Sequence, residues 1–234
     1  MHCIDGIDWL FFDLGDTLID EDGPSAQRIA DLQEALAWRG RKYSHAEIEY
    51  AIVQACAEFA PRAIARAVEV LAGDIPIDGI LKEAPYRKEL ERPYPDAPAV
   101  LQRLSTRYRL GVIGNQSPGT WTRLQAWGMA PFFSVCIASA EEGVVKPNLE
   151  IFRRALAQAN CPPDRAAMIG DRIDNDIVPA KALGMRTVRI LQGYAKVQQS
   201  RCDEETADWT VTDLHELQQL FITYHGEEAP PYDR

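Results

Sequence analysis

Apolar residues in this chain fall first as a short block, then at helical spacing, then in alternating blocks and stripes. Behind Asp5-Gly6 stands Trp9-Leu10-Phe11-Phe12, and residues 7–13 read as a short buried strand. From Asp20 the spacing changes. Pro24 and Ser25 open a segment that puts Ile29, Leu32 and Leu36 on one face and stops near Gly40. Ser44 and Glu47 form a capping-box pattern ahead of Ile48, Ile52 and Cys56. Pro61 breaks that helix, a further apolar face runs from Ile64 to Leu71, and Ile80–Leu90 predicts one more short helix. Between residues 20 and 92 nothing reads as a strand.

After Arg92-Pro93-Tyr94-Pro95-Asp96 helices and strands alternate. Helices are predicted over 97–107, 118–127, 148–159 and 175–183, and strands over Leu110–Ile113, Val135–Ala138, Ala166–Ile169 and Thr187–Ile190. Asp213 and Glu216 open a terminal helix that reaches Phe221. Alternation of this kind implies an α/β core, with a mostly parallel sheet covered on both faces. The predicted domains are a core of residues 1–19 and 93–225, an all-helical insertion of residues 20–92, and a flexible tail of residues 226–234. An insertion joined to its core by two passages of chain suits a lid over an active site. Trp38, Tyr43, Tyr50 and Phe59 read mostly as core of that insertion.

Charge narrows the class of partner. The chain of 234 residues carries a formal net charge of −10, which argues against nucleic acid or an anionic membrane surface, since both reward a basic face. No run approaches the roughly 20 apolar residues of a membrane span. The first residues lack the basic and apolar regions of a signal peptide, so the expectation is a soluble, cytoplasmic protein. Cys3, Cys56, Cys136, Cys161 and Cys202 are scattered with no C-x-x-C pair, as free thiols in a reducing compartment would be.

Candidate chemistry gathers just past the predicted strands. Asp13 follows the first, in Phe12-Asp-Leu-Gly-Asp-Thr-Leu18; Asn115 follows the second, in Val112-Ile-Gly-Asn-Gln-Ser117; Asp171 follows Ala166–Ile169, in Gly170-Asp-Arg-Ile-Asp-Asn-Asp176. In an open parallel sheet, ligands bind outside the carboxyl ends of the strands, so residues far apart in sequence should converge there. Lys146, in Gly143-Val-Val-Lys-Pro-Asn148, is the lone cation between the two acidic stretches. Ser117 and Asp174 are read as helix N-caps, and His45 and His215 sit in helix-start patterns without a catalytic reading.

Taken in this order, these four stretches resemble the motifs of the haloacid dehalogenase superfamily of aspartate-nucleophile hydrolases. The resemblance covers nearly the whole chain. It implies a Rossmann-like doubly wound parallel core with an inserted helical cap, as in the superfamily's small-molecule phosphatases and dehalogenases. Asp13 matches the nucleophile that forms an aspartyl-phosphate. Lys146 matches the lysine that offsets charge on the nucleophile and the phosphoryl group. Gly114 and Asn115 occupy the phosphate-binding motif. Mg²⁺ would be held by Asp13, the carbonyl of Gly15, Asp171 and Asp176.

Two positions depart from the pattern. Gly15 stands where the phosphatases carry a second aspartate as general acid, with Asp16 where they usually have glycine; Gly114 stands where they carry a hydroxyl. Losing a general acid typically costs 10²–10⁴-fold in rate, least for substrates with good leaving groups. The implied activity is a Mg²⁺-dependent phosphatase of a small phosphorylated metabolite. A dehalogenase proper, with Asp13 attacking carbon, and a ligand-binding member without turnover are the alternatives.

Overall fold

The computed structural model describes Ile4 and residues 6–223. Cys3 and the tail of residues 226–234 lie outside the described residues. In chain order the strands are β1 (Trp9–Phe12), β2 (Ile19–Asp20), β3 (Arg92–Pro93), β4 (Arg109–Gly114), β5 (Phe133–Ala138), β6 (Ala166–Gly170), β7 (Arg186–Ile190) and β8 (Trp209–Val211). The helices are α1 (Asp22–Trp38), α2 (His45–Ala57), α3 (Ala63–Ala72), α4 (Ile77–Glu83), α5 (Ala97–Leu104), α6 (Thr120–Ala126), α7 (Ser139–Glu142), α8 (Leu149–Ala159), α9 (Val178–Ala182) and α10 (Leu214–Thr223).

Six strands form one sheet in the order β5-β4-β1-β6-β7-β8, and every pairing is parallel. The chain begins in the middle of the sheet, builds outward through β4 and β5, then crosses β1 to add β6, β7 and β8. The strand order therefore reverses beside β1, which makes its carboxyl end the topological switch point. β1 is buried along its whole length, as a strand covered on both faces must be. Phe11 fits because its partner in β4 is Gly111: a Cβ there would sit 2.6 Å from the Phe11 ring. Trp9 and Phe11 pack with Ile137 of β5, Phe152 of α8 and Met168 of β6 in one continuous cluster.

The α/β fold read from the sequence is thus the observed one. β8 was not anticipated: it has three residues and only Val211 is buried, too short a signal for periodicity.

Two compact units make up the described chain. The sheet, with its helices, comprises residues up to Leu18, Pro93–Gln192 and the residues from Ser200 onward. The second unit holds Ile19–Arg92 together with Gly193–Gln199. In this helical unit Ile29, Leu32 and Leu36 of α1 meet Ile48 and Ile52 of α2 and Val68 and Leu71 of α3. The capping box forms as read: Ser44 Oγ accepts from the Glu47 N–H at 3.3 Å, and Glu47 Oε2 accepts from the Ser44 N–H at 2.7 Å.

Tyr194 and Val197, from beyond β7, join this helical core, and the Tyr194 hydroxyl donates to Glu49 of α2 at 3.4 Å. Two aromatics correct the expectation of lid core: Trp38 is 88% exposed and Tyr50 64%. Each lies two residues from a buried position of its helix (Leu36, and Ile48 with Ile52), about 200° round the axis, hence on the opposite face.

Candidate active site

Asp13 leaves β1 one residue past Phe12, and its N–H donates to the Ile169 carbonyl of β6 at 2.9 Å. The chain turns at once: the Thr17 and Leu18 N–H groups both donate to the Leu14 carbonyl, at 3.2 and 2.9 Å. Within this turn Gly15 is followed by Asp16, whose φ of 50° lies in the left-handed region. Glycine enters that region without cost, and aspartate is among the few other residues that tolerate it. The position that the resemblance assigns to glycine thus carries a carboxylate on left-handed backbone.

Lys146 is buried and reaches two carboxylates with one ammonium: its Nζ lies 2.8 Å from Asp13 Oδ1 and 2.5 Å from Asp176 Oδ1. Burial alone would weaken its basicity, but the charges of Asp13 and Asp176 more than offset that and hold it protonated. Asn115 fixes its backbone. The Lys146 N–H donates to Asn115 Oδ1 at 2.7 Å, and Asn115 Nδ2 donates to the Lys146 carbonyl at 3.0 Å.

β6 ends at Gly170, where a Cβ would collide with the Asp176 side chain. Asp176 is wholly buried within a π-helical turn, Ile173–Ile177, and its Oδ2 accepts from the Arg172 N–H at 3.1 Å. Burial raises its pKa to about 6 against the pull of Lys146. Asp171 is pushed well above the usual carboxylate range, by burial first and then by Asp176, Asp13 and Asp16. One oxygen from each of Asp13, Asp171 and Asp176 lies within 4.8 Å of the others, so this trio can hold a metal ion. A crowded set of hard carboxylate oxygens, with Asp171 and Asp176 both buried, fits a small divalent cation such as Mg²⁺.

Gly114 closes β4 beside Asp13; a Cβ there would sit 3.5 Å from Asp13 Oδ1. Asp13, Gly114, Lys146, Asp171 and Asp176 thus meet at the carboxyl end of the sheet, with Asn115 holding the lysine from behind.

A family model described as haloacid dehalogenase-like hydrolase matches residues 7–184. The chain belongs to the haloacid dehalogenase-like hydrolases. Over 141 residues it is 39% identical to the glyceraldehyde 3-phosphate phosphatase of Methanocaldococcus jannaschii, a match covering 59% of this chain and 60% of that protein. The match therefore spans under two thirds of this relative's length. Phosphoserine phosphatase of Thermus thermophilus is 31% identical over 197 residues, covering 83% of this chain and 76% of that one. The fold is similar to that of the hydrolase YfnB from Bacillus subtilis, solved bound to magnesium, with a TM-score of 0.70 and 20% identity across 92% of this chain and 99% of that one.

Two side chains of this hydrolase do other work than the sequence indicated. Ser117 does not cap a helix, because α6 starts only at Thr120. Glu141 of α7 takes that role, its Oε1 accepting from the Gly119 N–H at 3.0 Å and the Thr120 N–H at 3.4 Å. A carboxylate at a helix start also meets the positive end of the dipole. Asp174 does not cap either; it pairs with Arg172 at 2.6 Å.

Arg189 of β7 was overlooked. It is 7% exposed, and its Nε donates to the Asp171 carbonyl at 3.3 Å. The signal was available: a charged residue interrupts a strand predicted to be buried on both faces.

Proposed function

We propose that this hydrolase is a divalent-cation-dependent phosphatase of a small phosphorylated metabolite, with Asp13 as nucleophile. The observation that carries the reading is Lys146, whose single buried ammonium bridges Asp13 and Asp176 beside a third carboxylate, Asp171. A dehalogenase attacking carbon needs no such cation cluster. The names of the archaeal and Thermus relatives, both phosphatases of three-carbon phosphates, favour the same reaction class.

In this reading Asp13 attacks phosphorus, the bond to the ester oxygen breaks, and an aspartyl-phosphate forms. Water then attacks that phosphorus, releasing inorganic phosphate and restoring Asp13. Lys146 pairs with the Asp13 carboxylate and offsets negative charge on the phosphoryl oxygens. Gly114 leaves room beside Asp13, and the N–H groups around Gly114 and Asn115 are suited to cradle a phosphate. A Mg²⁺ ion held by Asp13, Asp171, Asp176 and the Gly15 carbonyl would supply further charge neutralisation at the phosphoryl group. Gly15 offers no proton to the leaving alkoxide, which leaves Asp16, the substrate itself or solvent to supply it. Turnover should therefore depend steeply on the leaving group. The helical unit is the proposed cap, and the sheet unit the proposed catalytic core.

The test is release of phosphate from an activated aryl phosphate and from acetyl phosphate, with and without Mg²⁺, followed by glyceraldehyde 3-phosphate and phosphoserine. Mg²⁺-dependent release that disappears in Asp13→Asn supports the proposal. Release that survives that substitution contradicts it.

A further inference from the structure

Arg189 lies opposite Gly170 in the register of β7 and β6, one residue short of Asp171. A guanidinium in so buried a place needs a structural return, since arginine stays charged and its burial is costly. Its Nε donates to the carbonyl of Asp171, which belongs to the peptide unit joining Asp171 to Arg172. The N–H of that same unit donates to Asp176 Oδ2 at 3.1 Å. One peptide plane is thus gripped at both ends, by Arg189 on one side and by a carboxylate of the cluster on the other. Tilting that plane would turn the Asp171 side chain and at the same time loosen Asp176. A charged donor on the carbonyl also polarises the peptide and strengthens its N–H as a donor.

We propose that Arg189 is the positioning residue of the cation site: by fixing the Asp171–Arg172 peptide from the neighbouring strand, it aims Asp171 and Asp176 at one ion. This rests on the cation-dependent reading above. It assigns a task to a residue outside the four motifs that carry the family resemblance. Lys146 pairs directly with Asp13 and Asp176, whereas Arg189 reaches Asp171 through its backbone carbonyl.

The sign of the effect makes the proposal testable. A positive charge near a cation site weakens cation binding by repulsion, so deleting a mere bystander would leave affinity unchanged or tighten it. Deleting a positioning residue should weaken it, typically 10–100-fold for a group that orients a metal ligand. Two measurements are needed on the full chain: Mg²⁺ affinity by calorimetry, and hydrogen exchange of the Arg172 amide in metal-free protein. For Arg189→Met we expect Mg²⁺ affinity to fall about 10–100-fold and the Arg172 amide to exchange at least about tenfold faster.

Arg189→Lys keeps the charge without the fork; it should fall between wild type and Arg189→Met, and it carries the test if the methionine variant does not fold. Unchanged or tighter Mg²⁺ binding, or an Arg172 amide indifferent to both substitutions, would overturn the proposal. Faster exchange in a variant whose wild type binds no Mg²⁺ would support the positioning role and contradict the cation-dependent reading instead.

Discussion

Asn115 and Lys146 are joined by a reciprocal pair of hydrogen bonds, 31 residues apart in sequence, in which one side-chain amide serves both the N–H and the carbonyl of a single backbone residue. The ring so formed sets where the Lys146 stem begins, and the ammonium then reaches Asp13 and Asp176. Asn115→Ala should leave the fold intact, because Asn115 lies at the surface, and lower kcat by about 10²-fold, the usual cost of a 1 Å misplacement of a catalytic group. Steady-state kinetics beside a thermal melt checks this; a kcat within twofold of wild type would separate Asn115 from the lysine's function.

Gly170 has no room for a methyl group. A Cβ would collide with the Asp176 carboxylate, so Gly170→Ala must displace that side chain from Lys146 or distort the end of β6. The expected result is loss of activity by about 10² or more, with Mg²⁺ binding weakened about 10–100-fold. Calorimetric titration with Mg²⁺ is the direct readout, and wild-type affinity in the variant would contradict the crowding.

Asp16 occupies left-handed backbone at φ 50°. An alanine there meets the full steric penalty of about 1–2 kcal/mol, which glycine avoids. Asp16→Gly should therefore be more stable than Asp16→Ala by about 1 kcal/mol, after glycine's greater entropic cost is subtracted. Urea unfolding of the two variants measures the difference; equal midpoints would show that the turn relaxes. Both variants also remove a charge that helps to raise the pKa of Asp171.

Cys136 should be slow to react. Burial, and secondarily Glu141, push its thiol up to about 11, whereas Cys202 is exposed. At pH 8 only about a thousandth of Cys136 is thiolate, and that fraction rises about tenfold per pH unit until the pKa is approached. Iodoacetamide labelling followed peptide by peptide should modify Cys202 first and Cys136 at a rate that climbs with pH. Cys136 labelling as fast as Cys202 at pH 8 would contradict its raised pKa.

What the sequence disclosed and what it hid divide by range. β1, β4, β6 and β7, and α1, α2 and α8, follow from local periodicity, which one stretch of chain carries by itself. The residues that meet at the carboxyl end of the sheet were readable because Asp13 and Asp171 each follow an apolar run. The hidden features are long-range. Glu141 starts α6 from another helix, so no local pattern marks it, and Ser117 looked the better cap only because it is near. Gly193–Gln199 leaves the sheet to complete the helical unit, although it follows β7 directly. Arg189 could have been questioned as a charge inside a buried strand, but its target, a peptide just past the end of the adjacent strand, is visible only once β6 and β7 are paired.

The central claim is that Asp13 carries the phosphoryl group. Rapid mixing with acetyl phosphate and Mg²⁺, acid quench and borohydride reduction would convert an aspartyl-phosphate to the corresponding alcohol, which peptide mass spectrometry locates. The account predicts that mass change at residue 13 alone, appearing within one turnover and absent without phosphoryl donor. Phosphate release with no change at Asp13, or with the change at another aspartate, would contradict it.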